Sequence, residues 1–462
     1  MNSQRPNIVW LTVDSIRADH TSVHGYPRNT TPNLSKIANM DDGRSFNNCI
    51  SEGIWSLPVG TSILTGTYPT FHNTVAEDYI VPNDIKTVPE LFSSSGYETY
   101  GVSGNPWVSD ATNMNRGFDH FEYISKSNLT AAGLNPLIKF LLNLRSHSAG
   151  YTTNTAAHCT DYIAHERIRK WIHKQTASQP FFIYAHTEGA HTPYYPPNGY
   201  IEEFTEELGL SPKEARSQAN ELCESLYERM ANGLDLTTEE KGSLIAAYDG
   251  IIKYLDEQIG KTFDVLKSKS LGPTIFVVTS DHGDHLGEKG VLSHKLSLRD
   301  ELARVPMVVH GTEVNKENKL VQHLDFIKEI AVRAGCDDEQ LQGNFIGDRQ
   351  AALIHRSEDY FNKTRGILDR HGDNLNLDKF HEQDANAIRT NKYKYVRSED
   401  KSVLYKLPDE TQSILNQYSE EAVELDNRLD KMVQKYSRAK KSDKSADFDD
   451  EMKETLSDLG YL

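Results

Sequence analysis

The sequence predicts an α/β fold in which helices flank a large, mostly parallel central sheet. Three observations support this prediction. Short runs of apolar and β-branched residues end in polar residues, which is typical of parallel strands buried on both faces. Longer stretches between these runs carry apolar residues at helical spacing. Glycine and proline separate the two kinds of segment and mark turns.

Four runs are predicted to be strands of the central sheet: residues 7–13, 99–103, 181–186 and 274–280. Each run is followed by charged or polar residues. In open α/β sheets, ligands bind outside the carboxyl ends of the strands. We therefore expect Asp14, His186 and Asp281 to lie on one rim of the sheet.

Helices are predicted between the strands, at residues 31–40, 88–95, 154–175 and 245–269. A shorter helix is predicted over residues 60–65, just after Ser56. Its free N–H groups would form an anion site, although a serine that merely caps a helix is the simpler interpretation of Ser56.

The character of the sequence changes after residue 345. Residues 355–386 are charged and predicted to be rich in loops, and the alternation around residues 393–396 predicts a pair of antiparallel strands. A helix is predicted over residues 420–440. We therefore expect a catalytic α/β domain at residues 1–345 and a smaller C-terminal α+β subdomain at residues 346–462.

The charge and hydropathy of the chain exclude several kinds of partner. The formal net charge is −17, which argues against nucleic-acid and anionic-membrane binding. No apolar run approaches the roughly 20 residues that span a bilayer. The N-terminal residues are predicted to be the first strand of a mature cytoplasmic protein, because they lack a signal-peptide cleavage site. The four cysteines are too far apart for a metal pair and are expected to be reduced thiols.

The segment TSDHGDHLGE, at residues 279–288, gives the strongest local signal for chemistry. It places Asp281 and His282 at the turn after a buried strand. A carboxylate oxygen together with an imidazole suits Zn, Mn, Mg or Ca. A surface turn with a helix-capping aspartate is the alternative for an isolated segment of this kind.

Several further blocks accompany this segment in order along nearly the whole chain. They are PNIVWLTVDSIRADHTSVHGYPRNTTPNLSKIA, WSLPVGTSILTGTYPTFH, FFIYAHTEGAHTPYYPP, SHKLSLRDELARVP and the terminal LSDLGYL. Together they resemble the sulfatase-like branch of the alkaline-phosphatase superfamily. The resemblance implies the alkaline-phosphatase/sulfatase fold for the α/β domain.

The resemblance also implies roles for individual residues. By position, Asp14, Asp281 and His282 match metal ligands, and Ser56 matches a nucleophile whose oxygen also faces the metal. The implied cofactor is one divalent metal ion, with Ca, Mg, Mn and Zn left open. Two further residues match catalytic positions: His191 matches a histidine that contacts the transferred group or the leaving oxygen, and Lys295 matches the lysine that stabilises or protonates the leaving group.

The sequence departs from formylglycine-dependent sulfatases at three positions. Gly60 stands where their motif has arginine, Asn105 stands where a sulfate-binding lysine is expected, and Ser15 replaces a second metal-binding aspartate. The chain is therefore identified as a variant that lacks the formylglycine-motif arginine. These losses favour an unmodified Ser56 hydroxyl as the nucleophile.

The function predicted from the sequence is metal-dependent hydrolysis, or group transfer, of sulfate or phosphate esters. The expected partner is a small-molecule or glycan ester, and phosphodiesters are expected to react faster than phosphate monoesters or sulfate esters. The alternative is a catalytically silent protein that binds an anionic glycan or ester. Specificity is assigned to the loops at residues 125–155 and 198–240, and the oligomeric state is left open.

Overall fold

The computed structural model describes residues 5–124, 138, 144–148, 159–313, 320–438 and 446–459. The strands in this part of the chain are β1 (Asn7–Val13), β2 (Gly43–Ser45), β3 (Asn48–Ile50), β4 (Glu98–Ser103), β5 (His120–Tyr123), β6 (Phe181–Thr187), β7 (Thr274–Thr279), β8 (His285–Leu286), β9 (Leu292–Ser293), β10 (Arg304–Val305), β11 (Met307–His310), β12 (Leu320–Val321), β13 (Ala352–Arg356), β14 (Ala385–Arg389), β15 (Tyr393–Arg397) and β16 (Ser402–Lys406).

The α-helices of the same segments are α1 (Pro32–Ala38), α2 (Ser56–Thr65), α3 (Pro69–His72), α4 (Val88–Ser94), α5 (Leu144–His147), α6 (Asp161–Lys174), α7 (Glu202–Thr205), α8 (Pro212–Glu224), α9 (Leu226–Ala231), α10 (Thr238–Lys267), α11 (Asp300–Ala303), α12 (His323–Ala334), α13 (Glu358–Leu368), α14 (Ser419–Lys435) and α15 (Asp450–Asp458). Single-turn 3-10 helices lie at Ala18–His20, Ser22–His24, Asp110–Thr112, Glu206–Leu208, Glu288–Gly290 and Leu377–Lys379.

The central sheet has the strand order β2-β11-β7-β1-β6-β4-β5. Strands β7, β1, β6, β4 and β5 run parallel, and β11 is antiparallel to both of its neighbours. The four predicted strands are confirmed, each within one residue at either end. The predicted α/β class with a mostly parallel sheet is therefore correct.

Strand β1 lies at the centre of this sheet and is buried on both faces. Val9, Leu11 and Val13 pack into one apolar cluster, whereas Ile8 and Trp10 pack into a second cluster on the opposite face. Because successive side chains of a strand point to opposite faces, a mostly apolar run fits a strand covered on both sides. This burial explains why the run was recognisable from sequence.

The predicted helices are confirmed, with differences at their ends. Helix α10 begins at Thr238, seven residues before its predicted start at 245, because Thr237 and Glu240 form a reciprocal capping box. Helix α2 begins at Ser56 itself and not at residue 60. The predicted helix at 154–175 is seen as Asp161–Lys174, and its residues 154–158 lie outside the described part of the chain.

The C-terminal region contains a four-stranded antiparallel sheet in the order β13-β14-β15-β16, with α14 packed against it. The prediction of loops over residues 355–386 was wrong in part, because this stretch contains the end of β13 and the 11-residue helix α13. Side chains of this sheet share an apolar cluster with Tyr68 and Leu324 from the preceding region. The domain boundary at residues 345 and 346 stays a prediction.

Two other predictions concern surface segments and membranes. The prediction of a loop over residues 198–240 was wrong, because these residues contain α7, α8, α9 and the first residues of α10. Most of residues 125–155 lie outside the described part of the chain. Within the described segments, no helix combines the length and apolar character needed to cross a membrane. The four cysteines are buried and none forms a disulfide.

Candidate active and metal site

The parallel strands bring the predicted ligands to one rim of the central sheet. Asp14 directly follows β1, His186 lies near the end of β6, and Asp281 follows β7 by two residues. Strand β1 pairs with both β6 and β7, so all three side chains emerge at adjacent strand ends. The rim expected from sequence is therefore present.

Ser56 lies at the first turn of α2 and points at the same rim. Its Oγ donates a hydrogen bond to Asp14 Oδ2 at 3.1 Å and lies 3.3 Å from His282 Nε2. Asp14, Ser56 and His282 are all buried. The structure thus gathers the hydroxyl, a carboxylate and an imidazole within hydrogen-bonding distance.

Asp281 completes this group together with His186. His282 Nε2 lies 3.5 Å from Asp281 Oδ2 and 3.4 Å from Asp14 Oδ1. His186 Nε2 lies 3.4 Å from Asp281 Oδ2 and 3.9 Å from Asp14 Oδ2. Sequence analysis placed His186 on the rim but did not assign it as a ligand, although its position near a strand end was the available signal.

The backbone after β1 lets neighbouring segments lie close to Asp14. Ser15 adopts a positive φ of 60° and donates its hydroxyl to Asp14 Oδ1 at 2.7 Å. Gly189 also has a positive φ, and a Cβ at this position would lie 2.3 Å from the Asp14 carbonyl oxygen. Only glycine lets the loop after β6 pass this close to Asp14.

The donor set fits a divalent cation. Two buried carboxylates lie side by side, and Asp281 Oδ2 and His186 Nε2 have no hydrogen-bond partner among the described residues. Burial raises the pKa of Asp281, but the imidazoles of His282 and His186 outweigh burial and hold this pKa below its usual range. Paired buried carboxylates with an orphaned oxygen are the environment that a bound cation stabilises.

His191 lies beside this group through contacts between inclined histidine rings. The ring centroids of His191 and His294 are 5.0 Å apart, and those of His282 and His294 are 4.5 Å apart. Burial lowers the pKa of His191, although the charge of Asp14 opposes this effect. The neutral form is therefore favoured, with the Nδ1 proton donated to Thr192 O at 2.6 Å.

Asp284 is a residue that sequence reasoning missed. It accepts from His294 Nδ1 at 2.9 Å and from the Tyr194 hydroxyl at 2.7 Å. Burial raises its pKa to about 7, against the opposing charge of His282. Asp284 lies in the segment that sequence analysis singled out, so its place three residues after Asp281 was the available signal.

Lys295 is buried on the same side of the site as His294. Its Nζ donates to the Tyr360 hydroxyl at 3.4 Å, and Tyr360 stacks on Trp55, with ring centroids 4.5 Å apart. Burial lowers the pKa of Lys295 to about 8, although the carboxylates of Glu77 and Asp284 act against this. Tyr360 was not foreseen, because it comes from α13 in a stretch predicted to be loop.

Asn105 and Gly60 are two of the three positions at which the family resemblance predicts a departure from formylglycine-dependent sulfatases. Asn105 Nδ2 donates to Asp14 Oδ2 at 2.7 Å, so a neutral amide contacts the ligand carboxylate. Gly60 faces the apolar side of α2, where an added Cβ would lie 2.8 Å from Val108 Cγ2. Position 60 therefore has no room for an arginine side chain while Val108 is in place.

Comparison with protein families and curated proteins identifies relatives of the chain. The model of the family described as Sulfatase matches residues 6–336. An arylsulfatase of Clostridium perfringens is 27% identical over 337 residues, which cover 66% of this chain and 68% of the relative.

Solved structures resemble the fold over nearly the full length. The phosphonate monoester hydrolase of Agrobacterium radiobacter has a TM-score of 0.70 at 20% identity, covering 94% of this chain and 96% of that one. The protein BT4656, in complex with its substrate D-glucosamine-2-N,6-O-disulfate, has a TM-score of 0.68 at 20% identity, covering 94% and 98% of the two chains. At this level of identity, these structures establish the shared fold.

Proposed function

The chain belongs to the sulfatase family of sulfuric and phosphoric ester hydrolases, and on this premise we propose that it cleaves sulfate or phosphate esters through an unmodified Ser56. One divalent metal ion is assigned to Asp14, Ser56, Asp281 and His282. The convergence of the Ser56 hydroxyl on Asp14 and His282, at 3.1 and 3.3 Å, is the observation that carries this proposal. The substrate is a small-molecule or glycan ester, the latter in keeping with the disulfated glucosamine bound by BT4656.

In this mechanism, Ser56 attacks phosphorus or sulfur as the alkoxide, and the bond to the leaving oxygen breaks. The alkoxide is regenerated when the group later leaves Ser56, and the proton that His191 takes up returns through solvent to Lys295. A divalent ion, when bound, supplies positive charge that offsets charge on the transferred group and favours the serine alkoxide. The N-terminal N–H groups of α2 face the same anion, because Ser56 is the first residue of this helix.

Two buried side chains are suited to the proton transfers. Lys295, with a pKa of about 8, is largely protonated at neutral pH and can give its proton to the leaving oxygen. His191 is neutral because burial lowers its pKa, so it can accept the proton of the incoming water or acceptor hydroxyl. Attack by the oxygen of the water or acceptor hydroxyl on phosphorus or sulfur then releases the transferred group from Ser56. With a sugar or lipid hydroxyl as acceptor, the same site acts as a transferase.

Singly charged substrates are favoured by the charges that remain at the site. Asn105 is neutral, and Val108 occupies the space next to Gly60, so neither position contributes a cation. A phosphodiester carries one negative charge, whereas a phosphate monoester carries nearly two at neutral pH. A sulfate ester is also singly charged, but an unmodified serine would retain the sulfate because it has no aldehyde hydrate to expel it. We therefore rank phosphodiesters first.

The test is release of nitrophenol from bis(nitrophenyl) phosphate, nitrophenyl phosphate and nitrophenyl sulfate. The protein is first treated with a chelator and then supplied with Mn, Mg, Ca or Zn. The Ser56→Ala variant should lose turnover of every substrate, and Ser94→Ala, an exposed serine at the end of α4, is the matched control.

Peptide mass spectrometry around Ser56 decides whether the serine is modified. An unmodified serine supports the proposal, whereas a peptide lighter by two hydrogen atoms identifies formylglycine. Turnover of the sulfate ester faster than the phosphodiester would overturn the ranking. Equal activity of Ser56→Ala and the parent would overturn the role of Ser56.

A further inference from the structure

A cavity of about 390 Å³ lies between the C-terminal sheet and the segment that follows Lys295. One wall is apolar, with Leu296, Phe380 and Val403 among its residues. The described residues that line it do not include the proposed nucleophile, metal ligands or proton-transfer residues. The cavity is therefore distinct from the ester-cleaving site, although Leu296 is the neighbour of Lys295.

Arg356, at the end of β13, is the buried cation of this cavity and is only 1% exposed. Its Nη2 donates to the carbonyl oxygens of His381 and Gln383. Its Nε and Nη1 have no acceptor among the protein groups that the structure describes. A buried guanidinium whose N–H groups lack acceptors is costly, so such groups are normally paired.

The guanidinium of Arg356 also has no carboxylate partner in the described part of the chain. The described residues place no carboxylate oxygen within ion-pair distance of it, and Asp384 acts on it only as a nearby charge. Burial lowers the pKa of Arg356 to about 9, with Asp384 opposing this effect. An anion in the cavity would supply both the missing acceptors and the missing charge.

Other charged residues around the cavity also favour the binding of an anion. Lys289 and Lys379 are exposed at its rim, and Lys401 donates to backbone carbonyl oxygens and not to a carboxylate. Arg299 is neutralised by Glu301 at 2.8 Å, and Glu410 lies 3.3 Å from Lys394. The lining thus carries an excess of positive charge in a chain whose formal net charge is −17.

We propose that this cavity is a binding site for a small organic anion, with the sulfonate, sulfate, phosphate or carboxylate group at Arg356 and a nonpolar body against the apolar wall. The rim lysines attract the anion, and Arg356 holds its charged group. The exposed rim leaves the cavity open to ligands from solution. The site adds to the proposed esterase function and does not depend on it.

The test is isothermal titration calorimetry with naphthalene-2-sulfonate, an anion with a nonpolar body and no ester to cleave. Naphthalene-2-methanol is the uncharged counterpart. We expect the sulfonate to bind and the alcohol to bind at least roughly tenfold more weakly, since the hydrogen bonds to a charged group are lost. Arg356→Gln should weaken sulfonate binding by about the same factor.

Arg365→Gln removes the same charge from the exposed face of α13 and is the matched control, which should bind like the parent. Because Arg356→Gln can fail to fold, Lys289→Gln combined with Lys379→Gln provides a second measurement at exposed positions. This double variant should bind the sulfonate about two- to fivefold more weakly, with the difference shrinking in high salt. The proposal would be overturned if folded Arg356→Gln or the double lysine variant bound the sulfonate as tightly as the parent. It would also be overturned if the parent bound the alcohol as tightly as the sulfonate.

Discussion

Val108 occupies the space beside Gly60: a Cβ added to Gly60 would lie 2.8 Å from Val108 Cγ2. Both residues are buried, and Gly60 lies within α2, four residues after Ser56. The family resemblance matches Gly60 to an arginine of formylglycine-dependent sulfatases. In this chain the packing of α2 against Val108 replaces that cation with an apolar contact.

The first prediction compares two glycines in helices. Gly60→Ala should lower the free energy of unfolding by about 1–2 kcal/mol, because overpacking against Val108 outweighs the better helix propensity of alanine. Gly366→Ala, in α13, should raise it by roughly 0.5–1 kcal/mol, since a Cβ there meets nothing within 4 Å. Urea unfolding measures both values. A stabilising effect at Gly60 would show that the space beside α2 is open.

The second prediction concerns the proposed metal ligands. Added metal ion should raise the melting temperature of the parent protein, with stabilisation of about 2.7 kcal/mol when the ion is at a hundred times its Kd. Asp281→Asn removes one of the two buried carboxylates and should abolish most of this response. Asp447→Asn, an exposed aspartate, is the control and should respond like the parent. A full metal response in Asp281→Asn would exclude this residue from the site.

The third prediction concerns the pH dependence of activity. Because burial lowers the pKa of Lys295 to about 8, the value of kcat/KM should fall as pH rises through about 8, when the lysine loses the proton that the leaving oxygen needs. Lys295→Met should be much less active and should lack this basic limb. The exposed Lys392→Met variant should keep the profile of the parent. A basic limb that persists in Lys295→Met would assign it to another group.

The same lysine has a separate effect on stability. Its pKa in the folded protein, about 8, is lower than the ordinary value of 10.5, so the unfolded chain binds more protons between these two pH values. The contribution of Lys295 to the free energy of unfolding should therefore increase as pH rises from 8 to 10.5. Urea unfolding across this pH range should show the increase in the parent protein. The Lys295→Met variant should lack the part of the increase that comes from Lys295.

The fourth prediction tests Tyr360 as a positioning residue. Its hydroxyl accepts from Lys295 Nζ at 3.4 Å and donates to His294 O at 3.0 Å. Tyr360→Phe removes an acceptor that stabilises the charged amine, so the basic limb of kcat/KM should move to lower pH. We expect a loss of about three- to tenfold in kcat/KM at neutral pH. The control variant Tyr393→Phe, in the C-terminal sheet, should keep the basic limb of the parent. If the basic limb does not move in Tyr360→Phe, the Tyr360 hydroxyl does not position Lys295 and the residue contributes only to packing.

The central sheet and the residues on its rim could be predicted from the amino-acid sequence alone. Strands such as β1 are apolar on both faces, and each polar residue that follows such a run marks a carboxyl end. Since parallel strands align their carboxyl ends, Asp14, His186 and Asp281 could be predicted to lie together. The pairing of Ser56 with this rim came from the family resemblance, because residues 14 and 56 are not linked by any local pattern.

The groups that surround these residues became apparent only from the packing of the folded chain. The contact of Tyr360 with Lys295, the packing of Val108 beside Gly60 and the hydrogen bond from Asn105 to Asp14 each join separate segments of the chain. Local periodicity and turn signals report the secondary structure of one segment at a time. Side-chain contacts between segments depend on how whole elements pack, and this packing sets the charge and space at the site.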